Sequence, residues 1–246
     1  GGATSYALLS YFGKANYAYD NRYLASVTLR YDGSSRFGKN NRFGTFPAFS
    51  LGYRISEEAY MEKTREWLSD LKLRFGWGQT GNQETANTAV HTLYVTDYGM
   101  GDPTWTSLNG TSYDLTGKGG TSLPSGYKKV QQGNPDLKWE TTTQTNIGLD
   151  FGFFDQKLYG TAEYYIKKTK DILVQPPYLG IIGEGGYCWY NGASMENKGF
   201  EVSLGYRDQT PFGLSYDISG NISGYRNKVT KLPSDVENSY DGNGKG

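Results

Sequence analysis

Ten charged side chains occupy polar positions of alternating segments: Arg30, Asp32, Arg54, Lys72, Arg74, Asp150, Glu163, Glu201, Arg207 and Asp217. Five are basic and five acidic. A mixed stripe of this kind pairs ions and lines wet surfaces; it does not by itself poise an acid against a base. The other candidates for chemistry are sparse. His91 is the single histidine, which excludes a His-based triad or a His-rich metal site. Cys188 is the single cysteine, so no internal disulfide forms. The run GEGG at 183–186 lacks the Lys-Ser/Thr of a phosphate loop. Asp97 and Asp102 fit no calcium-loop motif, and Glu57 and Glu58 read as first-turn acids of a short helix. The sequons at Asn109 and Asn221 carry meaning only in a glycosylating host. No catalytic centre, cofactor or metal is expected.

The segments that carry the stripe read as β-strands. In 200–206, Phe200, Val202, Leu204 and Tyr206 alternate with Glu201, Ser203 and Gly205. Successive side chains of a strand point to opposite faces, so one face is apolar and the other polar. The same alternation is found at 5–19, 23–34, 45–55, 68–80, 140–154, 158–172 and 214–223. Eight strands are therefore predicted. The stretch 56–67 breaks the pattern and predicts a short helix or turn capped by Ser56. Loops are expected at 35–44, 81–139 and 173–197. Glycines fall on the polar face of two strands, at Gly76, Gly78, Gly148 and Gly152. They suit either close approach of another backbone or strand curvature.

The chain has 246 residues, with 25 basic and 25 acidic side chains. A neutral balance gives no electrostatic case for a nucleic-acid partner. Tyr (22) and Gly (34) are abundant, as many strands and loops require. Mean hydropathy is negative, but an alternating strand averages its own signal away. No run of about 18 apolar residues predicts a membrane helix.

The connections alternate between plain and elaborate. Those after the first, third, fifth and seventh strands are short or modest; those after the second, fourth and sixth are longer. Antiparallel strands place alternate connections on opposite edges, so one edge is plain. Aromatics gather there: Tyr17, Tyr19, Tyr23, Tyr53, Trp67, Phe151, Phe153, Phe154, Tyr159, Tyr206 and Phe212. Short turns on one side, long loops on the other and an aromatic girdle describe a transmembrane β-barrel.

Four stretches carry a resemblance: KNNRFGTFPAFSLGYRISEE at 39–58, LKLRFGWGQTGN at 71–82, NPDLKWETTTQTNIGLDFG at 134–152 and NKGFE at 197–201. In sequence, order and spacing they resemble the barrel region of SusC/RagA-type TonB-dependent transporters of Bacteroidetes. The resemblance implies an all-β fold: an antiparallel transmembrane barrel of 22 strands closed by a plug, of which residues 1–246 supply about eight. The family's plug domain, TonB box and final strands do not match any stretch here, so no energy-coupling residue is named. It further implies a place in the bacterial outer membrane, contact with lipid and with the TonB complex, a SusD-like surface lipoprotein as partner, and import of glycan or peptide cargo. Trp105, Tyr178, Tyr187, Trp189 and Tyr190 are the expected external contacts with ligand or partner, because loop aromatics offer rigid apolar area with polar tips. The ten charged residues would face the lumen. The competing expectation is a soluble or surface-attached β-rich carbohydrate-binding or adhesive protein, with its apolar faces buried against a second sheet.

Overall fold

The computed structural model describes residues 5–96, 127–175 and 187–233. Eleven strands are present among them: β1 Leu8–Tyr19, β2 Tyr23–Ser34, β3 Phe43–Arg54, β4 Leu68–Asn82, β5 Leu93–Thr96, β6 Tyr127–Gln132, β7 Glu140–Phe153, β8 Leu158–Val174, β9 Tyr187–Cys188, β10 Tyr190–Gln209 and β11 Ser215–Lys231. Eight of them form one antiparallel sheet in the order β1-β2-β3-β4-β7-β8-β10-β11. Every strand in it pairs with its nearest long neighbour in sequence, as in an up-and-down meander. The remaining three, β5, β6 and β9, make a small sheet inside the long connections.

The predicted alternation is realised across the whole sheet. One cross-strand row runs Tyr17, Ala25, Leu51, Phe75, Ile147, Tyr164, Phe200. The next runs Tyr19, Tyr23, Tyr53, Leu73, Leu149, Ala162, Val202, Ile222. All lie on one face. No layer of the described chain covers them, and Val27, Leu51, Ile147, Leu204 and Ile222 are each at least half exposed. The sandwich expected of a soluble protein is not what these strands build.

The register also carries a stagger. Start from the row through Tyr19 and Tyr23, which abuts the first turn. In β7 and β8 the same row lies four residues above the turn, at Leu149 and Ala162. In β10 and β11 it lies seven residues above, at Val202 and Ile222. Strands that slip in one direction as the sheet proceeds are tilted strands, and that shear is what closing a barrel requires.

The structure departs from the sequence reading at several points. β10 begins at Tyr190, inside the stretch expected to be loop, and β11 continues to Lys231. Residues 190–199 hold no apolar row to read, yet the ladders to β8 and β11 hold them extended. Ser56 caps nothing. It lies inside a 3-10 helix, Ile55–Glu57, whose N-cap is Arg54, and its hydroxyl faces the Asp70 carboxylate at 3.4 Å. A second 3-10 helix, Ala59–Thr64, follows. Glu58 joins the two and is more than a first-turn acid. Its Oε1 accepts the hydroxyls of Tyr23 (2.7 Å) and Tyr53 (3.1 Å), and its Oε2 accepts from Arg22. The Tyr23 hydrogen bond is the main reason its carboxyl is held below the usual range. Tyr159 leaves the girdle: it pairs with Gly205 and points to the polar face.

The buried core is not under the sheet. Phe37, Phe46, Ala89, Leu137 and Trp139 form it, with Ala86, Val90, Leu173 and Trp189 packed around. Apart from Phe46 in β3 and Leu173 in β8, these come from the connections at the elaborate edge. The Trp139 ring stands against Phe37 (5.3 Å between centroids) and Phe46 (5.4 Å), and its indole N–H donates to the Arg42 carbonyl. The elaborate edge is thus a folded unit seated on the polar side of the sheet.

Two expectations follow. Leu149→Arg, in the middle of the uncovered apolar face, costs about 2–4 kcal/mol of insertion into lipid vesicles, read from the denaturant midpoint; Ser50→Arg on the opposite face costs less. Trp139→Ala destabilises the loop core by about 3–5 kcal/mol. Limited proteolysis then cuts within 35–42 and 83–92 while the barrel keeps its resistance to detergent; unchanged cleavage would show that the core does not hold the loops.

Candidate functional site: the charged face and its loop cluster

On the polar face, charge is organised around Arg74. Its Nε donates to Asp150 Oδ1 (2.9 Å) and its second nitrogen to Glu163 Oε2 (3.3 Å). Lys72 reaches the other Asp150 oxygen at 3.9 Å, and Asn146 donates to Glu163 Oε1 at 2.6 Å. The side chains stem from β4, β7 and β8. Arg74, Gly148 and Glu163 share one row, so the guanidinium must cross β7 to reach Glu163. It does so over Gly148, where a Cβ would lie 2.9 Å from a guanidinium nitrogen. The glycine there makes room for a side chain of this same chain, a reason the sequence reading did not contain. Gly152 is covered in the same way by the Gln156 side chain, whereas Gly76 opens onto free space. Around Gly76 lies a shallow depression of about 590 Å³, lined by Asn16, Ser26, Ser50, Lys72, Arg74 and Glu163 among others.

The remaining charged positions share this face by register. Arg207 stacks on the Tyr159 ring (4.5 Å), and the Tyr159 hydroxyl donates to Asp217 at 2.7 Å. Arg30 pairs with the buried Asp32 at 3.0 Å. Arg54 sits opposite Lys72, and Glu201 opposite Glu163. What the described residues of this face offer is a polar, partly self-neutralised wall for hydrogen bonding and ion pairing.

Above it, the loop cluster is held by backbone-directed asparagines. Asn134 donates to the Trp189 carbonyl (2.9 Å) and accepts from the Asp136 N–H (3.0 Å). Asn191 donates to the carbonyls of Lys138 and Asp171, both at 2.8 Å, and accepts from the Lys138 N–H. The NPD segment is thus the turn that launches β7. Arg36 was missed by the sequence reading, since an arginine in a polar loop looks solvated. It is buried, bonded to Asn87 (2.8 Å), Gln83 and Glu84, and lies 4.0 Å over the Tyr6 ring. His91 belongs to a turn in the same cluster, its carbonyl accepting from Gln131. Cys188 is half-buried, which pushes its thiol pKa up.

Of the five loop aromatics, Tyr187 is exposed. Trp189 is half-buried and packs on the loop core. Tyr190 opens β10 opposite Val174. Trp105 and Tyr178 lie outside the described residues, as do Asp97, Asp102, Asn109 and the run 183–186.

The profile of the family described as "TonB dependent receptor-like, beta-barrel" matches residues 1–245. The TonB-dependent receptor SusC of Bacteroides thetaiotaomicron is 38% identical over 244 residues, covering 97% of this chain and 22% of the relative. A TonB-dependent receptor of Formosa agariphila is 34% identical, over 94% of this chain and 20% of its own length. Among solved structures, the RagAB peptide transporter superposes with a TM-score of 0.76 at 30% identity, over 94% of this chain and 23% of that one. The siderophore receptor PirA of Pseudomonas aeruginosa (0.56, 15% identity) shares the fold. The chain spans about a fifth of the length of these SusC- and RagA-type relatives. A staggered, one-side-greasy sheet and a match over nearly every residue agree: this chain belongs to the TonB-dependent receptor β-barrel family, as a stretch of the membrane-crossing wall of an outer-membrane receptor of SusC/RagA type.

Proposed function

We propose that the whole protein imports oligomeric nutrients, glycans or peptides, across the outer membrane, drawing on TonB and working with a SusD-like surface lipoprotein. The observation that supports this best is the division of labour in the sheet. One face is greasy throughout its middle and uncovered, the other is charged, and the described parts of the long connections gather at a single edge in a packed cluster. A wall of that design separates lipid from a wet interior and presents a folded surface outward.

In this reading the ten charged residues line the lumen. The depression around Gly76 and the Arg74 network face the plug or the passing cargo. Residues 1–246 are then one part of the barrel domain, with plug and further strands supplied by the rest of the protein. The free edges of β1 and β11 favour such an arrangement, because unpaired backbone is costly in hydrocarbon. Phe12 and Tyr225 stand exposed on the polar face of those edge strands, where neighbouring elements would cover them. Loop aromatics form the capture surface, with Tyr187 an exposed member among the described residues.

Two outcomes test this. A tagged whole receptor, extracted in mild detergent, brings down a surface lipoprotein and retains an oligosaccharide or oligopeptide detectable by mass spectrometry; a bare receptor refutes the partnership. Tyr187→Ala weakens retention of lipoprotein or cargo by about tenfold, as loss of an aromatic anchor does. Its melting temperature stays unchanged. Trp189→Ala instead lowers stability, since that ring is part of the loop core.

A further inference from the structure

The apolar face ends abruptly at one place. On β11 it runs from Tyr216 to Gly224, the nine residues or so that a membrane-crossing strand needs. The next two positions on that face are Arg226 and Lys228. The register sets Lys198 beside Arg226 and Glu196 beside Lys228, and sets Lys168 beside Glu196. Lys170 is the following position of β8 on the same face. Five cations and one carboxylate therefore crowd the outer wall just above the greasy band, towards the elaborate edge. No such cluster tops the same face of β1, β2 or β3, where Leu9, Tyr31 and Phe43 continue it.

Among the described residues the cluster is underpaired. Glu196 bridges Lys198 (2.8 Å) and Lys168 (3.6 Å) and is the least exposed of the three. Lys168 and Lys198 keep 55% and 46% of their side chains exposed, and Arg226, Lys228 and Lys170 are exposed. Immediately below, the Phe200 ring lies over Gly224, and a shallow depression of about 360 Å³ beside it is bordered by Tyr164, Lys198 and Arg226. Apolar floor and cationic rim meet at one point.

We propose that this patch binds the phosphorylated headgroup of a lipid in the outer leaflet. The phosphates would sit among Lys198, Arg226 and Lys228, and the first part of an acyl chain against the Tyr164 and Phe200 rings. Charge complementarity selects an anion, and the position on the lipid-facing wall selects one attached to a lipid. Long basic side chains suit the boundary because they rise to the headgroups while their stems stay on apolar surface.

The test uses the whole receptor in detergent, titrated separately with micellar diphosphoryl lipid A, phosphatidylcholine and inorganic phosphate, with bound lipid counted by native mass spectrometry. Diphosphoryl lipid A binds, phosphatidylcholine does not, and inorganic phosphate fails to displace it. Lys198→Gln with Arg226→Gln weakens lipid A binding by about 25-fold, some fivefold for each cation lost. Glu196→Gln removes the internal competitor and tightens binding. Equal affinity for the two lipids overturns the proposal. So does displacement by inorganic phosphate, which would mark a free-anion site. An unchanged affinity in the folded double variant does the same. If that variant fails to fold, Glu196→Gln decides: no gain in affinity sinks the idea.

Discussion

Everything in this structure follows from a sheet that must satisfy its own backbone while leaving one face to hydrocarbon. In lipid no water is available to an unpaired N–H or C=O, so each strand has to be bonded on both sides. The eight-strand meander achieves this for the middle of its interior members, although β3 is bonded to β4 only from Ala48 to Arg54 and three other ladders carry register shifts. Once the ladders are fixed, a period of two allocates every side chain. The apolar rows are then a consequence of register, and a slip by one residue would turn Arg74, Asp150 and Glu163 into the lipid.

That constraint explains why the core lies where it does. A soluble sheet of this size would bury its greasy face against a second layer. Here that face has its own solvent, so close packing is needed only where loops leave the membrane. Phe37, Ala89 and the pair Leu137 and Trp139 come from three separate connections and meet Phe46 at the mouth of the polar face. Polar ties do the rest, with Asn134 and Asn191 holding carbonyls of other loops in place. The family-like stretches at 39–58 and 134–152 supply that junction: Phe46 from one, Leu137 and Trp139 from the other.

How much of this was legible depends on what each residue touches. Strand positions announce themselves, because lipid on one side and water on the other impose a binary pattern on residues such as Phe200 to Tyr206. Above the membrane both sides are wet, the pattern dissolves, and the start of β10 at Tyr190 could not be read. Ser56 and Glu58 show a second limit. Composition marked a helix start, but the capping hydroxyl turned to Asp70 and the carboxylate to two tyrosines from other strands. Arg36 and Gly148 show a third. One is buried by loops distant in sequence, the other is small because a guanidinium passes over it, and neither fact has a local signature.

The two borders of the greasy face are finished by different chemistry, and the difference has a physical logic. At the plain edge, Tyr23 stacks on Tyr53 (5.2 Å, nearly parallel) and both hydroxyls end on Glu58. An aromatic ring with a fixed polar tip is content at the boundary between hydrocarbon and water, so its depth is set with no requirement on lipid charge. At the other border of β8, β10 and β11, long cations take over from rings. A cation at that depth draws anions towards it, and among the described residues Glu196 is the one carboxylate beside Lys168, Lys198, Arg226 and Lys228. In the proposed reading, the wall is indifferent to headgroup charge on one side and responsive to it on the other. The staggered ladder makes this possible, since tilt lifts the tops of β10 and β11 out of the band while the matching rows of β1 and β2 remain within it.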